Sequence, residues 1–135
     1  MLSFTPSLSQ NSDALALFVS EKYEYKDSKG ILSKDIKKKI DSFLRSLKAR
    51  NEKESISALD ISDKKKCFVI KIKNKYKNYY FEEIGGTFFT FIKKYKNIKE
   101  IDLLADSLTE SKEKLPKLFS EFIFGFNLKS YTFTK

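Results

Sequence analysis

Few residues of this chain can do chemistry. Histidine is absent altogether. That removes imidazole acid–base catalysis, Ser-His-Asp triads, Cys-His dyads and most zinc sites. Carboxylates, lysines and one thiol, Cys67, remain. Glu82 and Glu83 are adjacent carboxylates. Neighbours on a helix point roughly 100° apart, so the two cannot converge on one atom. In a first helical turn they would instead complement the positive end of the macrodipole. Gly85-Gly86 has the composition of a phosphate cradle, as in a macro-type ADP-ribose binder. Such a cradle needs glycines in a loop with free N–H groups. Here both fall within a helical apolar stripe and read as packing residues that let the helix approach a strand. Cys67 follows Lys64–Lys66, whose charge can lower a thiol pKa. With no histidine and no resolving cysteine, it reads as a buried core thiol.

Two basic and aromatic clusters stand out. Lys71, Lys73, Lys75 and Lys77 interleave with Tyr76, Tyr79 and Tyr80, and Lys93, Lys94, Lys96 and Lys99 surround Tyr95. Lysines neutralise phosphates and exposed tyrosines stack on bases. Tyrosine is also enriched where subunits meet. Lys73, Lys75, Tyr76, Tyr79, Lys93, Lys94 and Lys96 are therefore the candidate contacts for nucleic acid or a neighbouring subunit. The formal net charge of +9 favours an acidic partner. Against it, only Arg45 and Arg50 among 27 basic residues are arginine. Arginine supplies the planar fork for base and phosphate recognition. A solvated lysine surface is the simpler reading.

The elements that must position these residues follow from patterning. At 135 residues, 41% of them apolar and 13 of them Phe, the chain fits one domain with a real core. No apolar run approaches the roughly 18–20 residues of a membrane span, and no secretory signal is evident at the start. A single cysteine suits a reducing compartment, so a cytoplasmic location is expected. Ser3–Thr5 is a short strand stopped by Pro6. The continuous apolar run within Asp13–Ser20 predicts a strand buried on both faces. Tyr23–Lys29 reads as a loop or edge hairpin. Ile36, Ile40, Phe43, Leu44 and Leu47 form one helical stripe, with Ser33 as N-cap. Ser55–Ile61 and Lys66–Lys73 predict an antiparallel hairpin. A second helix spans about Asn78–Lys96, and a strand follows at Ile98–Asp106. A third helix covers about Lys112–Leu128, with Pro116 confined to its first turn. The tail, Ser130–Lys135, reads as extended. The alternation predicts an α/β fold, a mixed sheet flanked by helices.

Two stretches carry a resemblance. Glu83-Ile84-Gly85-Gly86, with the helix and strand after it, resembles the E-x-G-G helix of the N-terminal domain of the leucyl (cytosol) aminopeptidase family. Gly125-Phe126-Asn127-Leu128-Lys129-Ser130-Tyr131-Thr132-Phe133 is similar to that family's G-x-x-L-x-x-Y-x-F signature. The specific part runs from Glu82 to Phe133, and the element order extends it over the chain. One departure is Lys71-Ile72-Lys73, where the family often has Gly-Leu-Gly.

The resemblance implies a macro-domain-like three-layer sandwich for residues 1–135 as a single N-terminal domain. It implies no catalytic, cofactor or metal residues within these 135. The family's two divalent metals, Zn or Mn, and its catalytic lysine belong to a C-terminal domain. The signature Asn-Thr-Asp-Ala-Glu-Gly-Arg-Leu of that domain does not occur here. The expected partners are that domain and, in the full-length enzyme, a homo-hexamer. Some bacterial members also bind DNA. No membrane partner is expected.

Overall fold

The apolar run Ala14–Val19 and the β-branched and aromatic run around Cys67–Ile70 lie side by side in the sheet they were expected to build. The computed structural model describes residues 3–5, 12–27, 30–104, 107 and 114–134. Its elements are β1 (Ser3–Thr5), β2 (Ala14–Val19), α1 (Lys34–Ala49), β3 (Ile56–Ser62), β4 (Lys65–Lys71), α2 (Tyr80–Ile92), β5 (Glu100–Leu104) and α3 (Leu115–Thr134). They fall into two compact units. One comprises Met1–Lys73 and Asn97–Thr109, the other Asn74–Lys96 and Glu110–Lys135.

The first unit holds a five-stranded mixed sheet in the order β1-β5-β2-β4-β3. β1, β5, β2 and β4 run parallel, and β3 pairs antiparallel with β4. β2 is the central strand, and all six of its residues are buried. A strand covered on both faces cannot alternate, which is why it reads as an unbroken apolar run. α1 packs on one face, where Ile40, Leu44 and Leu47 meet Leu15, Leu17, Val19, Cys67, Val69 and Leu104. Ile36 and Phe43, also on the stripe, are partly buried against this cluster. Ser33 is the N-cap of α1, its hydroxyl accepting from the Ile36 N–H at 3.3 Å.

The β3–β4 pairing shifts register between Asp60 and Ser62, a bulge at Ile61. Lys39 of α1 donates to the Ile61 carbonyl at 2.9 Å, so a backbone acceptor beside the bulge has a partner.

The second unit holds α2 and α3. Both helices depart from the sequence boundaries. α2 spans Tyr80–Ile92 rather than Asn78–Lys96. α3 begins at Leu115, which puts Pro116 in the first turn as required, and runs to Thr134. Ser130–Thr134 is therefore helical, not extended, and Lys135 lies outside the described residues. Its Thr and Tyr favour strands in isolation, but Phe133 packs edge-on against Phe89 at 5.6 Å, and Lys93 lies over the Phe133 ring at 4.6 Å. Tertiary contacts decide the conformation there. No helix among the described residues is long and apolar enough to cross a membrane.

Candidate functional site

The two glycines of α2 behave differently. A Cβ on Gly85 would collide with the Phe122 carbonyl of α3, whereas one on Gly86 would sit 3.6 Å from the Lys129 side chain, an ordinary contact. Gly125 of α3 returns the arrangement, its α-carbon lying against the Glu82 carbonyl. The close approach is thus helix on helix, not helix on strand as the sequence implied. Phe88 lies beside Phe122 and Phe126 at 5.7 and 6.0 Å and packs with them across the crossing. A cradle for phosphate would need these glycines in a loop, and both lie inside α2. Glu82 and Glu83 occupy the first turn of α2, as their charge favours.

The candidate contact residues of the second unit fall at the two ends of α2. Lys73 closes the first unit, and the others belong to the second. Lys75, Tyr76 and Tyr79 precede the N-terminus of α2, whereas Lys93, Lys94 and Lys96 follow its C-terminus. The 13-residue helix between them spans about 20 Å. Tyr76 stacks on Tyr80 at 5.3 Å and meets the edge of Phe81, so it covers aromatic surface. Tyr79 is 68% exposed and takes the left-handed conformation at the N-cap of α2. Lys94 lies over the rings of Phe91 and Tyr95 at 4.3 and 5.5 Å. Lys71 is engaged inside the first unit, donating to Tyr23 at 3.1 Å and to the Glu52 carbonyl at 2.8 Å.

Two sites in the first unit escaped the sequence reading. At the amino ends of the parallel strands, Asp102 is fully buried. Its carboxylate accepts from Ser12 at 2.6 Å and from Lys65 at 3.2 Å, and Lys65 also donates to Ser12 at 2.7 Å. The trio joins β5, the entry to β2 and the start of β4. Asp13 adds a second pin, its carboxylate accepting from the Lys99 and Glu100 N–H groups at 2.8 and 3.0 Å. A buried ion pair gives weak net stability against an apolar replacement, yet losing one partner strands a charge. The Ser–Lys contact has the composition of a nucleophile and base, but the hydroxyl proton is directed to Asp102, so its role is to hold strands together. The visible signal was Asp102, an acid between the apolar residues Ile101 and Leu103.

A crevice of about 430 Å³ lies between the β2–α1 loop and α1, running along the helix from Lys37 to Lys48. It is lined by Lys22, Tyr23, Glu24, Tyr25 and Asp27 of the loop and by Lys37, Asp41, Leu44, Arg45 and Lys48 of α1. Tyr25 donates to Asp41 at 2.7 Å. Burial above all, then the hydrogen bond and the nearby carboxylates, hold its phenol well above the usual range. Asp27 accepts from the Ile31 and Leu32 N–H groups at 2.9 and 3.1 Å and shapes the loop. Cys67 is fully buried in the α1-facing core. Burial pushes its thiol up to about 12, so the lysines before it do not activate it.

Among the described residues, no group of three or more Cys, Asp and Glu could hold a metal ion. No family model, curated protein or solved structure matches the chain.

Proposed function

We propose that this chain is a non-catalytic α/β domain of the leucyl aminopeptidase family. Its role is to pack on the two-metal catalytic domain and to shape assembly of the enzyme. The reading carries with it that family's macro-domain-like three-layer sandwich, hexameric assembly and cytoplasmic setting. One observation supports it most. The two stretches that carry the resemblance meet in a single crossing, with Gly85 against Phe122 and Gly125 against Glu82. Motif glycines at a backbone-to-backbone contact have a physical reason to be glycine. The sequence also lacks histidine, and its one thiol is buried.

The purified chain is assayed on leucine p-nitroanilide with Mn²⁺, and the reading frame is followed past the Lys135 codon. No turnover is expected, with a frame that continues into a carboxylate-rich domain containing Asn-Thr-Asp-Ala-Glu-Gly-Arg-Leu. Turnover by these 135 residues alone, or a stop codon directly after Lys135, overturns the proposal.

A second reading is a nucleic-acid contact. It draws on the exposed Tyr79 ring beside Lys75 and Lys77, where a base can stack next to neutralised phosphates.

A further inference from the structure

We propose that the crevice between the loop after β2 and α1 binds a small phosphate-bearing anion, with Arg45 as its principal contact and Lys22, Lys37 and Lys48 in the same lining. The inference does not depend on the aminopeptidase reading.

The crevice lies between the loop that leaves β2 and α1, along about three turns of the helix from Lys37 to Lys48. A volume of about 430 Å³ lies within the range of small-ligand pockets.

A larger cavity of about 690 Å³ at the amino ends of the parallel strands is lined by four lysines, Lys39, Lys64, Lys65 and Lys66. Three of these are committed, Lys39 to the Ile61 carbonyl, Lys65 to Asp102 and Lys66 to Asp60. In the crevice, Lys22, Lys37, Arg45 and Lys48 form no ion pair among the described residues. Three carboxylates share the lining, and two have other duties, Asp27 to backbone N–H groups and Asp41 to Tyr25. Glu24 is the third, and it is exposed.

The chain has two arginines. Arg50 is paired with Glu52 at 2.8 Å, and Arg45 lines this crevice. Guanidinium donates two parallel hydrogen bonds to a phosphate, which an ammonium cannot do. Tyr23 shares the lining. It takes a left-handed backbone, φ 63°, with its hydroxyl accepting from Lys71 and that ammonium 5.1 Å from its ring centroid. A strained residue held by its surroundings is a feature of ligand clamps.

The test uses the full chain, ¹⁵N-labelled, titrated with inorganic pyrophosphate at constant ionic strength, with NaCl as reference. Saturable amide shifts confined to residues 22–27 and 37–48 are expected. Arg45→Gln should weaken binding about tenfold, Arg45→Lys by less, and Lys66→Gln in the larger cavity not at all. Arg45 is exposed, so the variants keep the fold, which their spectra report directly; Lys48→Gln serves as a second weakening variant. Shifts that never saturate, that spread over the lysines at large, or that survive undiminished in Arg45→Gln overturn the proposal.

Discussion

At the scale of single residues, burial decides chemistry that composition leaves open. Cys67 follows three lysines in sequence, an electropositive setting that would favour thiolate. Its side chain instead points into the α1-facing core, and desolvation holds the thiol up at about 12. At pH 8 that leaves about one thiolate in 10⁴. The sign of the pH dependence follows. The unfolded chain releases this proton near the ordinary value of 9.0, whereas the folded chain keeps it to about 12. Between those values the native state binds more protons, so stability falls as pH rises, by up to about 1.4 kcal/mol per pH unit. Tyr25, also raised, adds a loss in the same direction at higher pH. Urea unfolding of wild type and Cys67→Ala from pH 8 to 11 checks this. The wild type should lose stability more steeply above pH 9.0, and equal slopes would show that the thiol is not shielded. In the native state at pH 8, labelling by a thiol reagent should follow the rate of opening.

At the scale of elements, the α2–α3 crossing depends on two glycines and not on the third. A methyl group on Gly85 meets the Phe122 carbonyl, and one on Gly125 meets the Glu82 carbonyl, so the helices must separate. Gly85→Ala and Gly125→Ala should each destabilise by about 2–4 kcal/mol, the range of severe overpacking. Gly86→Ala should be neutral or stabilising by up to about 1 kcal/mol, because Gly86 has room for a methyl group and alanine is the better helix former. Thermal unfolding of the three variants distinguishes them, and a large loss in Gly86→Ala would refute the crossing described. The same crossing explains where the sequence reading stopped short. The segment Ser130–Thr134 carries strand-favouring residues, yet Phe133 and Thr132 continue α3, the latter donating back to the Leu128 carbonyl at 2.9 Å. Phe124, Leu128, Tyr131 and Phe133 of α3 are nonetheless all exposed.

At the scale of the whole molecule, the charge of +9 predicts weak attraction to any polyanion, independent of sequence. Duplex DNA should be bound at 50 mM salt and released by about 200 mM, as counterion release requires of a lysine-dominated surface. Fluorescence anisotropy with two unrelated duplexes measures it. Binding that persists at 200 mM, or that prefers one duplex, would favour a dedicated nucleic-acid site over a solvated lysine coat.

Strand β2, the three helices and the β3–β4 hairpin were readable from sequence, because periodicity and run length are local properties of a chain. So was the lack of imidazole chemistry, which needs only a count. Tertiary structure alone decided which acid is buried, since Asp102 meets Ser12 and Lys65 across 90 and 37 residues of chain. It also gave the glycines their true neighbour and divided the Lys/Tyr candidates between the two ends of α2. It left Arg45 without an ion pair among the described residues, on the α1 wall of the crevice. Desolvation and charge pairing depend on which distant segments meet, and no local pattern specifies that meeting.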